Sequence, residues 1–216
     1  MSKAERQLHE RLLHSQLAIA RAEQNAVVLV TAGMPGAGVG GVLNRLNQWL
    51  DNRNMATHAF AAPTEEERQR PPMWRYWRIL PPRGRFAILV GAWYGDAFLA
   101  YAGGRLSDAG LAERLETIAR LERLLAAEGT LVLKCWYPIS RTAQYARLRA
   151  LEADPEQRWR VSEIDWLRHA QYSAIERAAA RARARTDAPW ARWHSIQPRE
   201  PHQRALATAR VLAEAC

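Results

Sequence analysis

Residues 27–50 read "VVLVTAGMPGAGVGGVLNRLNQWL". An apolar, β-branched run from Val27 closes at Gly33, the pattern of a buried strand. Glycines then recur at 33, 36, 38, 40 and 41. From Val39 to Asn52 the residues Val42, Leu43, Leu46 and Leu50 fall on one side of a helix. A strand, a glycine loop and a helix in that order aim backbone N–H groups, at the positive end of the helix dipole, at an anion. Gly33, Gly36, Gly38, Gly40 and Gly41 would allow phosphate oxygens to approach closely. A tight turn in which backbone packs on backbone fits the same glycines equally well. A phosphate-binding loop of this kind carries a lysine directly after the glycine at 38, and this chain has Val39.

Outward from this stretch, strands and helices alternate. Helical spacing of Leu8, Leu12 and Ile19 predicts an N-terminal helix over residues 3–24. Further strands are expected near Met55, Phe86, Thr130 and Arg192. Thr64 with Glu67 forms a capping box. Ser107 caps an amphipathic helix whose stripe is Leu111, Leu115, Ile118, Leu121 and Leu125. Ser140 caps a helix ending near Asp154-Pro155, a second helix runs from Ser162 to about Arg185, and a last one covers Gln203–Glu214. Continuous apolar strands mean a parallel sheet covered on both faces. The strand at Val27 is expected to be central, because the loop must face a crevice at the strands' C-terminal ends. No repeat, low-complexity linker or domain break interrupts residues 1–216, so one α/β domain is expected.

The net charge is +9, and of 31 basic residues only Lys3 and Lys134 are lysines. Guanidinium forks match phosphate oxygens, so a polyanionic partner is in keeping with this balance; a GC-rich genome explains the same bias. No nucleic-acid motif is present, and charge alone is a weak argument for a nucleic-acid partner. Cys135 sits in an apolar run and Cys216 is terminal; neither a disulfide framework nor metal spacing exists, which fits a reducing cytoplasm. The six histidines show no ligand spacing. Neither a signal-peptide core nor a membrane-length apolar run is present.

The segments "GMPGAGVGGVLNRL", "APTEEE", "WRYWRILPPRGR", "AWY", "LKCWYPIS", "DPEQRWRVSEIDW" and "RTDAPWARW" occur in this order. Together they resemble the polyphosphate kinase 2 family of P-loop phosphotransferases, over essentially all of the chain from Leu8. "ERQRPPMWRYWRILPPRGR" followed by "GAWYGD" is most similar to the N-terminal copy in two-domain polyphosphate:AMP phosphotransferases, where the second copy keeps the full catalytic set. The resemblance implies a three-layer α/β/α kinase-like fold with a five-stranded parallel sheet and a helical lid over about residues 140–165. It implies inorganic polyphosphate and AMP or ADP as ligands, Mg²⁺ as the family's metal, a second domain of the family in cis or trans, and oligomers.

This chain departs from the family where the chemistry is done. The family's first motif runs Gly-x-Asp-x-x-Gly-Lys-Gly-Gly; here Pro35 replaces the Asp and Val39 the Lys. The second runs Asp-Arg-Ser-Trp-Tyr; here Val90, Gly91 and Ala92 replace its first three residues. No catalytic residue and no metal ligand is assigned. Asp96 lies on the helix after the strand and is expected to point elsewhere. Arg75, Lys134, Arg141, Arg147 and Arg158 match family positions that meet polyphosphate or nucleotide, whereas Arg149 and Arg160 are read as solvated. Trp93, Trp136, Trp159, Trp166, Trp190 and Trp193 are read as packing residues, and core packing is preferred for Trp74 and Trp77 over contact with a base. A binding or structural module that has lost turnover is the first reading. An active phosphotransferase with an atypical metal site is the second.

Overall fold

A computed structural model describes residues 1–198 and 200–216. Its elements are α1 (Lys3–Ala22), β1 (Ala26–Gly33), α2 (Val39–Trp49), β2 (Met55–Ala59), α3 (Glu65–Arg68), α4 (Trp74–Trp77), β3 (Phe86–Val90) and α5 (Ala92–Ala102). They continue with α6 (Asp108–Ala127), β4 (Thr130–Tyr137), α7 (Arg141–Ala153), α8 (Glu163–Ala170), α9 (Tyr172–Thr186), β5 (Trp193–Ser195) and α10 (Pro201–Ala215). The five strands form one parallel sheet in the order β2-β3-β1-β4-β5. The strand at Val27 is central, as the loop argument requires.

Alternation along β1 divides the interior. Val28 and Val30 face a core built with Phe98 of α5, Ile118 of α6 and Ile175 of α9. Val27 and Leu29 face a second core built with Leu12 of α1, Leu46 of α2 and Leu212 of α10. Two helical layers therefore enclose one sheet, and the strands read as unbroken apolar runs because both faces are buried. Local chemistry agrees: Thr64–Glu67 forms its capping box, and Ser107 and Ser140 accept from Gly110 and Ala143 N–H.

The helix expected from Ser162 to Arg185 is two helices, α8 and α9, meeting at Gln171. The break lets α8 turn back over the loop with α7 while α9 packs on α5 and α6. Trp159 is 79% exposed and Trp190 47%, so neither packs as expected. Trp93 and Trp136 are buried. Trp74 is flanked by the Arg70 and Arg78 guanidinium groups, 5.3 and 4.6 Å from its ring centroid. No helix among the described residues is long and apolar enough to cross a membrane.

Candidate functional site

The loop between β1 and α2 sits where the strand order reverses: β3 lies on one side of β1 and β4 on the other. A crevice opens there at the strands' C-terminal ends. Gly38, the N-cap of α2, has φ +83° and no side-chain cap. Across the crevice α5 also starts without a side-chain cap, after a sharp turn in which Gly91 has φ +72° and Ala92 φ +42°. A left-handed alanine costs roughly 1–2 kcal/mol. The Tyr76 hydroxyl lies 3.1 Å from Ala92 O and shares its one proton between that carbonyl and the nearer Asp96 Oδ2, at 2.6 Å. Two uncapped helix N-termini thus border one crevice, each offering N–H groups and a partial positive charge.

A cavity of about 350 Å³ lies on the loop, lined by Gly33, Gly36, Gly38 and Gly40 together with Pro35, Val39, Val90 and Gly91. Gly41 is not part of that wall. Gly33 serves packing as well, since a Cβ there would stand 2.9 Å from Tyr137 Cβ and Tyr137 O. From α7 and the segment after it come Arg147, Arg160 and Asp165. The Arg147 guanidinium lies over the loop, with Nη1 3.1 Å from where a Cβ on Gly38 would be. Burial, and then the neighbouring Arg160 guanidinium, push the Arg147 pKa down. A second cavity of about 230 Å³ adjoins it, lined by Phe60, Val90, Gly91, Asp96, Arg168 and Ile175 among others.

The positions expected to meet ligand divide sharply. Arg147 is brought to the loop. Arg141 and Arg158 are exposed and line neither cavity. Lys134 is withdrawn altogether: its side chain is 0% exposed. Its Nζ lies 2.6 Å from Glu122 Oε2 and donates to Thr186 O at 2.6 Å. Glu122 Oε1 in turn accepts from Trp93 Nε1 at 3.0 Å and from the Tyr94 hydroxyl at 2.7 Å. Burial pushes the Glu122 carboxyl up and the Lys134 ammonium down, each held against that by the other's charge. Arg75 is also committed, its side chain 8% exposed between Asp96 (3.2 Å) and Glu67 (3.5 Å), and it donates to Ala61 O at 3.0 Å.

Sequence reasoning missed three neighbours of the crevice. Arg160, exposed as expected, also lines the loop cavity, and Arg168 lines the adjoining one. Asp96 lines the adjoining cavity, where Tyr76 and Arg75 engage its carboxylate. Their signal was positional: Arg160 sits in the "DPEQRWRVSEIDW" segment and Asp96 three residues after Trp93.

The donors present do not fit a Mg²⁺ site. Mg²⁺ prefers near-octahedral oxygen ligands, with one or two carboxylates beside phosphates and water. Pro35 and Val90 offer none, and the Thr31 hydroxyl donates back to Leu89 O at 3.4 Å. Asp165 Oδ2 accepts from Ser162 N and Oγ in the cap of α8. Asp96 Oδ2 accepts from Tyr76 at 2.6 Å and pairs with Arg75. No group of three or more His, Cys, Asp or Glu suited to a metal occurs among the described residues.

Arg204 of α10 holds the loop from behind. It is 4% exposed and donates to the carbonyls of Ala37, Pro138 and Pro198. Charge-assisted bonds of this kind contribute about 1.5–3 kcal/mol each, so Arg204→Met is expected to destabilise the chain by about 2–4 kcal/mol. Denaturant unfolding checks this, and a midpoint unchanged from the parent would contradict it.

A central parallel strand, a glycine loop, a helix and a helical lid of arginines define a P-loop phosphotransferase fold. The sequence profile of the family described as Polyphosphate kinase 2 matches residues 1–216. The chain belongs to the polyphosphate kinase 2 family. It is 35% identical over 212 residues to a polyphosphate:AMP phosphotransferase of Pseudomonas aeruginosa, covering 98% of this chain and 43% of the relative. A protein of the same description from Pseudomonas syringae is 34% identical, with 96% and 42% covered. The chain thus spans less than half the length of these relatives. The crystal structure of polyphosphate kinase 2 from Arthrobacter aurescens superposes with a TM-score of 0.92 at 26% identity, over 96% of this chain and 75% of that one.

Proposed function

We propose that this chain is a polyphosphate-binding domain of a polyphosphate:nucleotide phosphotransferase, impaired in turnover by itself, with a second domain of the family, in cis or trans, supplying the chemistry. The observation that carries this reading is the contrast within one crevice. Glycine-loop amides and Arg147 line it, while Pro35, Val39 and Val90 occupy the positions of the family's Asp, Lys and Asp. Phosphoryl transfer depends on exact placement of charge around the moving group. Gripping a flexible polyanion does not, so binding can outlast turnover. AMP or ADP is the nucleotide class that the relatives' names support.

Titration with long-chain polyphosphate at low and moderate ionic strength tests the reading. Affinity is expected to fall as salt rises, since exposed charge is screened within about 8 Å at physiological ionic strength. Arg147→Gln is expected to weaken binding about tenfold, the equivalent of one modest charge-assisted contact. Arg181→Gln is expected to change it less than about twofold, because Arg181 already pairs with Asp108 on the surface. Equal losses would reduce the effect to generic positive charge, and absence of binding would end the proposal.

One observation favours an atypical metal site as a second reading. Asp96 lines the crevice and its side chain is 31% exposed. An active phosphotransferase would need Asp96 to replace two carboxylates while Arg75 neutralises it.

A further inference from the structure

Three guanidinium groups border the two cavities at the loop: Arg147 and Arg160 in the larger, Arg168 in the smaller. None of the three forms an ion pair with a carboxylate within 4 Å among the described residues. Two carboxylates line the same cavities, each engaged by other groups. Asp165 caps α8, and Asp96 holds Tyr76 and Arg75. Two uncapped helix N-termini, at Gly38 and Gly91, add positive potential to the same crevice. With Asp96 paired to Arg75, the crevice sets three guanidinium groups against the single carboxylate of Asp165, and its balance is cationic.

This reverses the electrostatics of a metal-bridged site. There, carboxylates hold the ion and the ion holds the phosphates. Here a Mg²⁺ carried in on polyphosphate would meet guanidinium groups and apolar side chains at close range, and like charges repel most strongly where water is scarce. The same phosphate oxygens that would ligate Mg²⁺ are the ones the arginines and loop amides would take. Metal and protein compete for one set of acceptors.

We propose that the crevice takes polyphosphate as the metal-free polyanion, and that Mg²⁺ competes with the protein for the phosphates instead of bridging the two. The inference rests on the polyphosphate-binding reading above and adds the ionic form of the ligand. Its consequence is regulatory: the fraction of polyphosphate held by this domain falls as free Mg²⁺ rises.

The test measures polyphosphate affinity of the chain in EDTA and in millimolar Mg²⁺, with sodium chloride adjusted to equal ionic strength. The parallel protein is the Pro35→Asp/Val90→Asp variant. For the unaltered chain Mg²⁺ is expected to weaken binding by about tenfold, as neutralised phosphates release fewer counterions. In the variant the weakening is expected to vanish or reverse. Tighter binding by the unaltered chain in Mg²⁺ overturns the inference, and loss of that tightening in Asp96→Asn would locate the metal at Asp96. Equal weakening in chain and variant also overturns it, since Mg²⁺ would then act on free polyphosphate alone. Absence of binding in both EDTA and Mg²⁺ overturns the underlying reading instead. A measurement on the unaltered chain guards against a variant that does not fold. Adding the chain to Mn²⁺-loaded tripolyphosphate is expected to release Mn²⁺, seen as growth of the free-ion paramagnetic resonance signal. Retention of the ion in the complex is the contrary result.

Discussion

Supplied with polyphosphate, Mg²⁺ and AMP or ADP, the isolated chain is expected to turn over at least about 10²–10³-fold more slowly than a family member that keeps the lysine and both carboxylates, the cost of a single preorganised electrostatic group. Three such groups are replaced, by Pro35, Val39 and Val90, but groups that act as a unit do not add, so the floor is set by one of them. Val39 and Val90 both line the loop cavity, so the apolar side chains sit where the charge would be needed and are not merely displaced. Nucleotide products followed over time give the rate, and a rate within about tenfold of an intact relative would contradict the electrostatic argument. Restoration is the stronger form. Pro35→Asp, Val39→Lys and Val90→Asp together should recover part of the activity, because the central strand, the loop and the lid are all in place. A restored lysine at 39 would stand near Arg147, so partial recovery is the expected ceiling.

Lys134→Met is expected to destabilise the chain by about 3–5 kcal/mol, the usual cost of removing one partner from a buried ion pair. For a chain of this size that corresponds to a drop in melting temperature of roughly 6–20 °C. The Glu122 carboxylate would be left buried without a counter-charge, and Thr186 O would lose its donor. Adding Glu122→Gln should recover a substantial share, since the amide oxygen still accepts from Trp93 and Tyr94 while the stranded charge is gone. Thermal unfolding of the parent, the single and the double variants decides it. A single variant as stable as the parent would mean that Lys134 is free for ligand after all.

Much of the frame was legible in the sequence because it is written locally. The strand starts, the caps at Thr64, Ser107 and Ser140, and the central place of β1 each follow from a short run of residues or from the glycine loop. The role of Lys134 was not, because its partner lies on another element. A signal did exist: Glu122 continues the stripe of Leu111, Leu115 and Ile118 on α6, and a carboxylate at a core position needs a buried cation. The bend at Gln171 left no comparable mark, for helix-favouring residues run through it. Arg168 reaches the crevice from α8, which that bend turns over the loop, and Arg160 from the short turn between α7 and α8, so their role depends on tertiary geometry. The exposed Trp159 fails a general expectation for tryptophan, and only the fold shows that it has nothing to pack against.

The central strand has one more consequence, for the order in which the molecule can be built on a ribosome. β1 is the first strand synthesised, yet both of its neighbours come much later: Val27 aligns with Phe86 on one side and Ala26 with Thr130 on the other. Until β4 has emerged, the hydrophobic middle of the sheet has an open edge, and closing such distant pairings is slow. Nascent chains that stall between β3 and β4 would therefore expose an unpaired strand rich in Val and Leu, the form most prone to aggregate.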